Sequence, residues 1–281
     1  MTPSATPCDV IPLFAGERSA LLDMLSSLTL EEWRAPTVCD GWSVRDIAAH
    51  LLGDDVGFVS RWRDGVGNPS FATGLDTSRR DGLVAAIDRQ NADWIHATRR
   101  ISPRLIVELL RATGSAFEEL VLALDPEEMA GPIGWAGPGP SPVWLHLARE
   151  YCERWVHQQH IRDAVRQPGL TGRRWLGPIL EAFALAVPRS LEASSSLPGM
   201  TVQLVVGGEA GGSWSFARGA LRWEAVAGLE RPPDAAVDMD GDIAWRLFTK
   251  GITPAEAART ATVRGDATLV SAMLMTVAIM A

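Results

Sequence analysis

A carboxylate and an imidazole stand four residues apart at Glu153 and His157, in the segment Glu-Arg-Trp-Val-His. Residues at this spacing lie on one face of an α-helix, so both side chains can reach the same cation. A third candidate, His50, occurs in an apolar segment far upstream. Helix bundles build metal sites from side chains on facing helices. If the helix that carries His50 faces the other two residues, the three form a metal site with one coordination position open for chemistry.

The pair belongs to a longer row of ionisable residues on a helix predicted from Val143 to about Gln167. The row advances in steps of four, three, four and three residues, which traces one helix face: His146, Glu150, Glu153, His157 and His160. Apolar residues flank the row and favour burial, and buried ionisable groups are costly unless they are paired or bind a cation. Two other interpretations stay open from spacing alone. Glu153 and His157 can form an ordinary helix-stabilising pair, and each histidine can be a satisfied core or boundary residue.

The first half of the chain must position these residues, and its pattern is helical. Ser43 to Asp46 is typical of a capping box, and the apolar residues that follow have helical spacing, which places His50 two turns inside a helix. Residues 40–42 predict a turn just before it. Ser102 is a predicted N-cap, followed by proline at the first helical position. Further helices are predicted over 13–28, 83–101 and 103–124, and a loop over 131–142.

From about residue 171 the pattern changes to short strands separated by glycine-rich turns. Strands are predicted at 201–206, 213–217, 221–226, 235–239 and 262–264. Helices are predicted at 176–191 and 242–250, with further helices starting after Thr253 and Asp266. The sequence therefore predicts an α+β protein of two domains, a helical domain over residues 1–170 and a smaller α+β domain over residues 171–281.

Composition excludes several classes of protein. The chain has 281 residues, of which 47% are hydrophobic, so it can bury a substantial core. Its formal net charge of -8 argues against a sequence-independent nucleic-acid binder. It contains neither a bilayer-spanning apolar run nor an N-terminal signal pattern. Three cysteines without a CxxC pair indicate a reducing compartment. We therefore expect a cytoplasmic monomer or homodimer that binds neither nucleic acid nor membranes.

Three segments resemble one known family. The run Leu-Thr-Leu-Glu-Glu-Trp-Arg-Ala-Pro-Thr-Val-Cys-Asp-Gly-Trp-Ser-Val-Arg-Asp over residues 28–46, closing on His50, resembles the opening motif of the mycothiol-dependent maleylpyruvate isomerase family. Residues 153–162 are similar to its second signature, Glu-x-x-x-His, and residues 245–267 resemble its C-terminal domain. The resemblance covers nearly the whole chain. It implies a DinB-like four-helix metal-binding bundle followed by a sterol-carrier-protein-like α+β domain.

The resemblance also implies roles for individual residues. Carried over one by one, it makes His50, Glu153 and His157 the ligands of a divalent metal, which is most often zinc in this family. Many relatives carry a Gly-Arg pair where this chain has Lys250 and glycine, and the arginine is the family's candidate for holding a substrate carboxylate. Lysine is cationic but lacks the bidentate fork of arginine. Lys250 is therefore the candidate for binding the substrate. For proton transfer the resemblance names no residue, and position on the helix makes His160 or Glu150 the candidate.

The candidate metal site and the resemblance together predict a metal-dependent enzyme that uses a low-molecular-weight thiol for cis-trans isomerisation or thiol transfer on a small electrophilic substrate. The resemblance implies zinc as the metal and mycothiol as the thiol. Two imidazoles and one carboxylate leave a bound zinc ion with net positive charge, which can hold a thiol as thiolate. Two alternatives stay open. One is a hydrolase with zinc-activated water, and the other is a non-catalytic small-ligand-binding protein with a structural metal. A fourth protein ligand, such as His146 or His160, would contradict the catalytic interpretation.

Overall fold

The computed structural model describes residues 8–67, 80–133 and 139–278. The chain divides into two compact units, and the division falls inside one helix, so that helix contributes to both. No helix within the described ranges is long and apolar enough to cross a membrane. The helical unit consists of Ile11–Leu124 and Arg154–Gly169, and the sheet unit of Met1–Val10, Asp125–Glu153 and Leu170–Ala281.

The helical unit follows the predicted pattern closely. Each predicted helix of this unit is present, and its ends differ from the prediction by at most about one turn. Two short 3-10 turns, Ile11–Leu13 and Glu32–Arg34, accompany them. The helices are α1 (Phe14–Ser27), α2 (Val44–Trp62), α3 (Arg80–Thr98), α4 (Pro103–Ala123) and the second half of α5 (Val143–Ala164).

Local chemistry explains where α2 and α4 begin. The Ser43 hydroxyl accepts the backbone N–H of Asp46, and the Asp46 carboxylate accepts the backbone N–H of Ser43, which completes the predicted capping box. Ser102 caps α4, with Pro103 at its first position. The apolar face of α2 then lies in the core of the unit, which fixes the direction in which the rest of the helix points. Its core residues include Val44, Ile47, Ala48, Leu51 and Leu52.

The predicted turn before α2 is present and is closed by backbone hydrogen bonds. The N–H of Thr37 donates to the carbonyl of Trp42 at 3.0 Å, and the N–H of Trp42 donates to the carbonyl of Cys39 at 3.0 Å. Gly41 has a φ of 72°, in the left-handed region that side chains disfavour. The turn therefore depends on glycine at this position.

We expect Gly41→Ala to lower the free energy of unfolding by about 1 kcal/mol, because alanine strains a left-handed residue. Gly57→Ala is the matched control. A Cβ atom at either glycine meets no atom within 4 Å, but Gly57 lies inside α2, where alanine stabilises by about 1 kcal/mol. Urea unfolding of the two variants measures the difference, and effects of the same sign would contradict this account of the turn.

The sheet unit contains the remaining elements, and its strands match the predicted strands within about two residues. The elements are β1 (Met129–Pro132), β2 (Pro140–Pro142), the first half of α5, α6 (Arg173–Ala184), α7 (Val187–Leu191), β3 (Thr201–Gly207), β4 (Gly212–Arg218), β5 (Trp223–Val226), β6 (Ala235–Asp240), α8 (Gly241–Phe248), α9 (Pro254–Thr260), β7 (Thr262–Gly265) and α10 (Ala267–Leu274).

Five of these strands form one sheet in the order β5-β4-β3-β6-β7. Strands β3 and β6 are parallel, and the other neighbours are antiparallel. Alternate residues of β3 are buried, namely Val202, Leu204 and Val206, and helices α6, α8 and α10 contact the sheet. The α+β class, with a helical N-terminal part and a C-terminal sheet, is confirmed.

Two predictions about individual elements are wrong. The predicted helix 176–191 is two helices, because Pro188 has no N–H to donate to Ala184, and α6 ends at that residue. The predicted loop 131–142 contains strand residues of a short antiparallel pair, in which Ala130 faces Ser141. Residues 134–138 of this loop lie outside the described ranges. Its glycine and proline content indicates a loop locally, whereas the strand pairing joins residues eleven positions apart, such as Ala130 and Ser141.

The predicted domain boundary after residue 170 stays a prediction. The division into units assigns Asp125–Glu153 to the sheet unit, although these residues precede that boundary. A helix such as α5, which runs from one unit into the other, leaves no change in composition at the point of division. Local sequence patterns therefore do not mark it.

Candidate metal centre

The three predicted metal ligands lie together. His50 on α2 and the pair Glu153 and His157 on α5 each offer a ligand atom within 4.8 Å of the others. Both histidines are buried, each with 5% of its surface exposed, and Glu153 is half-buried. The two imidazole rings meet edge to face, with 4.7 Å between their centroids. The helical spacing of Glu153 and His157 and the two-turn depth of His50 in α2 account for this convergence.

The donor set fits a divalent cation. Two imidazoles and one carboxylate are the ligands of many catalytic zinc sites, where each donor atom lies about 2.0–2.2 Å from the ion. Donors arranged tetrahedrally at that radius are about 3.3 Å apart, so atoms within 4.8 Å of one another need only small rotations to converge. Because the two histidines are buried, the cation would be shielded from most of the solvent.

One side of the donor group is covered by Trp42, from the turn before α2. Its ring centroid lies 5.1 Å from that of His50 and 6.4 Å from that of His157, and it stacks on His157 at an interplanar angle of 24°. The sequence indicated Trp42 only as part of a turn. An indole in this position restricts rotation of both imidazoles and keeps water from that side of the ligands.

A carboxylate that sequence reasoning missed lies next to the first ligand. Asp54 Oδ2 is 3.2 Å from His50 Nε2, one helical turn along α2. A carboxylate at this distance can accept the imidazole N–H and so fix the orientation of the ring. The signal was present in the sequence, because positions i and i+4 of a helix share a face. The same rule that selected Glu153 for His157 selects Asp54 for His50.

His160, the predicted proton-transfer residue, lies beside the candidate ligands. It is 4% exposed, and its ring meets that of His157 edge to face at 5.4 Å. Its Nδ1 atom is 3.4 Å from the thiol sulfur of Cys39. Cys39, His157 and His160 form a second group of donors that lie within 4.8 Å of one another. Sequence reasoning used Cys39 to infer a redox compartment and as part of the family motif, and missed its position beside the two histidines.

A buried ionic cluster joins α5 to α1, α2 and α4 close to the ligands. Asp55, which is fully buried, accepts hydrogen bonds from Arg18 at 2.6 Å, from Arg154 at 2.7 Å and from Thr113 at 2.7 Å. The guanidinium of Arg154 also lies over the ring of Phe117, 4.0 Å from its centroid. Since Arg154 follows Glu153 directly and Asp55 lies five residues after His50, the cluster fixes the rotation of α5 against α2.

A second chain of hydrogen bonds continues along the same side of α5. Gln158 donates to the Glu17 carboxylate at 2.5 Å and to its backbone carbonyl at 3.1 Å. Arg162 donates to the side-chain oxygen of Gln158 at 2.9 Å and 3.1 Å. Burial raises the pKa of Glu17, against the opposing effect of nearby arginines. Gln158 and Arg162 thus tie this face of α5 to α1, Arg162 through a hydrogen bond to the carbonyl of Ala20, and the Glu153 and His157 face is left oriented toward His50.

Two other residues of the predicted polar row lie outside both donor groups. His146 Nε2 is 2.9 Å from the carbonyl oxygen of Gly131, and Glu150 forms an ion pair with Arg149. Neither belongs to the groups that could hold a cation among the described residues. The spacing along one helix face identified all five residues of the row. Only the last three, Glu153, His157 and His160, belong to the donor groups.

Lys250, the predicted substrate-binding cation, is exposed and follows the end of α8. Its φ is 63°, and its N–H donates to the carbonyl of Leu247. The N–H of Gly251 donates to the carbonyl of Arg246 at 2.7 Å, which completes a Schellman motif. The backbone thus gives Lys250 a helix-capping position, and its role in substrate binding stays a prediction.

Comparisons with known proteins give one family and two solved structures of similar fold. Residues 14–162, more than half of the chain, match the family described as "Mycothiol maleylpyruvate isomerase N-terminal domain". A crystal structure of a histidine-to-alanine mutant of the mycothiol-dependent maleylpyruvate isomerase matches with a TM-score of 0.56 at 12% identity, covering 94% of this chain and 95% of that chain. A second structure of that isomerase matches with a TM-score of 0.54 at 13% identity and the same coverage. At such identities the likeness concerns the fold. No curated protein matches the chain in a sequence comparison.

Proposed function

Because the chain belongs to the mycothiol maleylpyruvate isomerase N-terminal domain family, we propose that it is a metal-dependent isomerase that uses mycothiol as its thiol cosubstrate. The observation that carries the proposal is the donor group of His50, Glu153 and His157 on two helices, in which both histidines are buried. The substrate class is a small acid whose cis double bond is conjugated to a carbonyl group, as in maleylpyruvate.

In this proposal His50, Glu153 and His157 bind one divalent cation, with Zn²⁺ as the ion that this donor set suits best. When bound, the cation supplies positive charge that keeps a thiol deprotonated at neutral pH. Asp54, whose Oδ2 atom lies 3.2 Å from His50 Nε2, would orient that ring by accepting a hydrogen bond from its N–H. Trp42 holds the two imidazoles in place and excludes water from their covered side.

The reaction leaves the atoms of substrate and thiol unchanged overall. The mycothiol thiolate adds to one carbon of the cis double bond, and the electron pair moves onto the conjugated carbonyl group. Rotation about the new single bond follows. The electron pair then returns, the carbon-sulfur bond breaks, and the trans isomer and the thiolate are released. His160, buried next to His157, is the candidate to hold a proton near the conjugated oxygen.

Lys250 is proposed to recognise the substrate carboxylate. Its charge can be tested apart from its backbone position, since asparagine tolerates a left-handed φ but carries no charge. We expect Lys250→Asn to raise KM by roughly 10-fold, the loss of one charge-assisted hydrogen bond, while bound metal stays constant. Lys250→Arg is the matched control and should keep KM low. An unchanged KM in Lys250→Asn would mean that Lys250 caps the helix and does not bind the substrate.

We also propose that the protein works in a reducing compartment such as the cytoplasm. No cysteine in the described part of the chain forms a disulfide, and the three thiols are Cys8, Cys39 and Cys152. A thiol cosubstrate requires the same conditions. The expected partners are the thiol and a small electrophile, and the state of association, monomer or homodimer, stays a prediction.

The proposal is tested by incubating zinc-loaded protein with mycothiol and a panel of cis-unsaturated acids, alkyl electrophiles and esters. NMR follows the geometry of the product, and mass spectrometry follows the thiol. Isomerisation with no net consumption of thiol is the expected result. Consumption of thiol in a stable adduct would identify a transferase, and turnover of esters without any thiol would identify a hydrolase with activated water.

A further inference from the structure

The second donor group has the geometry of a sulfur-containing metal site. The distance between Cys39 Sγ and His160 Nδ1 is 3.4 Å. In a tetrahedral zinc site, with bonds of about 2.3 Å to sulfur and 2.0–2.1 Å to nitrogen, the sulfur and nitrogen ligands are about 3.5 Å apart. The third member, His157, offers a nitrogen within 4.8 Å of both atoms. The two histidines are 5% and 4% exposed, so a cation here would have little contact with solvent.

We propose that Cys39, His157 and His160 form a second cation site, which takes a thiophilic divalent ion and shares His157 with the site of the proposed function. A neutral imidazole has one nitrogen lone pair available for a metal, so a single His157 ring serves one cation at a time. The two donor sets are therefore alternatives. One offers two nitrogens and an oxygen, and the other offers two nitrogens and a sulfur.

The elements that carry the second set allow it to form. Cys39 belongs to the turn before α2 and is half-buried, and its backbone N–H and carbonyl take part in the hydrogen bonds of that turn. His157 and His160 lie one turn apart on α5. No large movement of a helix is needed to bring the sulfur and the two nitrogens onto one ion.

The other two cysteines do not compete for the ion. Cys8 and Cys152 are buried, with 4% and 1% of their surface exposed. Neither belongs to a group of side chains that could hold a cation among the described residues. Burial also raises the pKa of the Cys8 thiol to about 12, and metals bind the thiolate form, so the Cys8 sulfur is a poor ligand at neutral pH. A bond between a bound metal and a cysteine sulfur, when observed, is therefore assigned to Cys39.

A thiophilic ion in the second set withdraws His157 from His50 and Glu153. Soft ions favour thiolate over carboxylate, so Cd²⁺ should prefer the sulfur set, while a harder ion such as Mn²⁺ should prefer the set with Glu153. The inference rests on the proposed function only in so far as the two sites compete for His157. Binding of a cation by Cys39, His157 and His160 requires no catalytic activity.

The test uses Co²⁺ and Cd²⁺ as probes on the full-length wild type and on the variants Glu153→Gln and Cys39→Ser. Charge transfer from sulfur to Co²⁺ gives an absorption band in the near ultraviolet. We expect this band in Glu153→Gln, where the first set is impaired, and its absence in Cys39→Ser. The affinity for Cd²⁺ should fall at least about 10-fold in Cys39→Ser. A band that persists in Cys39→Ser, or no band in Glu153→Gln, would overturn the proposal.

A measurement on the wild type tests the second site even if the variants do not fold. Alkylation followed by peptide mapping should label Cys39 in the metal-free protein and leave it protected when Cd²⁺ is bound; equal labelling in both states would refute the second site. The two proposals also fail differently. A sulfur band without thiol-dependent turnover contradicts only the proposed function, and thiol-dependent turnover without any sulfur band contradicts only the second site.

Discussion

The His157→Ala variant should lose most of its bound divalent cation and keep its helical fold. His157 is the one residue common to both donor groups, so its removal leaves at most two protein ligands in either. We expect affinity for Zn²⁺ to fall by more than about 100-fold, since even residues that only orient a ligand cost 10-fold to 100-fold. The cavity left by the imidazole should lower the free energy of unfolding by about 1–3 kcal/mol.

Elemental analysis of purified protein measures the bound metal, and circular dichroism measures helix content. His146→Ala is the matched control, because His146 lies on the same helix but outside both donor groups. It should keep the metal content of the wild type. Undiminished metal in His157→Ala would refute the assignment of this centre, whatever the activity of the protein.

The largest expected loss of stability follows from Asp55→Ala. Asp55 accepts hydrogen bonds from Arg18 and Arg154, whose exposed fractions are 6% and 2%. Removing the carboxylate leaves two buried guanidinium groups without their shared anion. Breaking a buried ion pair in this way costs about 3–5 kcal/mol. We therefore expect the free energy of unfolding to fall by about that amount in metal-free protein.

The neighbouring Asp54→Ala is the matched control for this prediction. Asp54 is on the same helix, its side chain is 26% exposed, and its contact is with His50. A partly exposed pair of this kind contributes at most about 1 kcal/mol. Urea unfolding with a chelator present compares the two variants. If Asp55→Ala were no less stable than Asp54→Ala, the buried cluster would not be what holds α5 against α2.

Much of the fold could be read from local rules. Capping residues such as Ser43 and Thr253 marked the beginnings of helices, and hydrogen bonds in the structure complete both capping boxes. Short strands separated by glycine-rich turns were predicted where β3 and β6 occur. These signals act between residues a few positions apart, so the sequence alone contains the information that places these elements. The break before Pro188 was equally local and was missed by extending helical periodicity across a proline.

The candidate ligands could be found in the same way, because Glu153 and His157 share one helix face. Their partners could not all be found. Asp55 meets Arg154 across 99 positions of the chain, and Cys39 meets His160 across 121 positions. No periodicity connects residues on different elements, so such pairs depend on how the helices pack. Trp42 illustrates the same limit, since its position in a turn was predicted and its contacts with the two imidazoles were not.

The most direct test of the central claim is the rate of conversion of maleylpyruvate to its trans isomer, followed by proton NMR. The complete reaction contains zinc-loaded protein and mycothiol. Three control reactions are compared with it: one without the metal, one without the thiol, and one with the Glu153→Gln variant in place of the wild type. The account predicts rapid isomerisation in the complete reaction and rates near the uncatalysed rate in the other three. Isomerisation that proceeds equally well without thiol or without metal would contradict it.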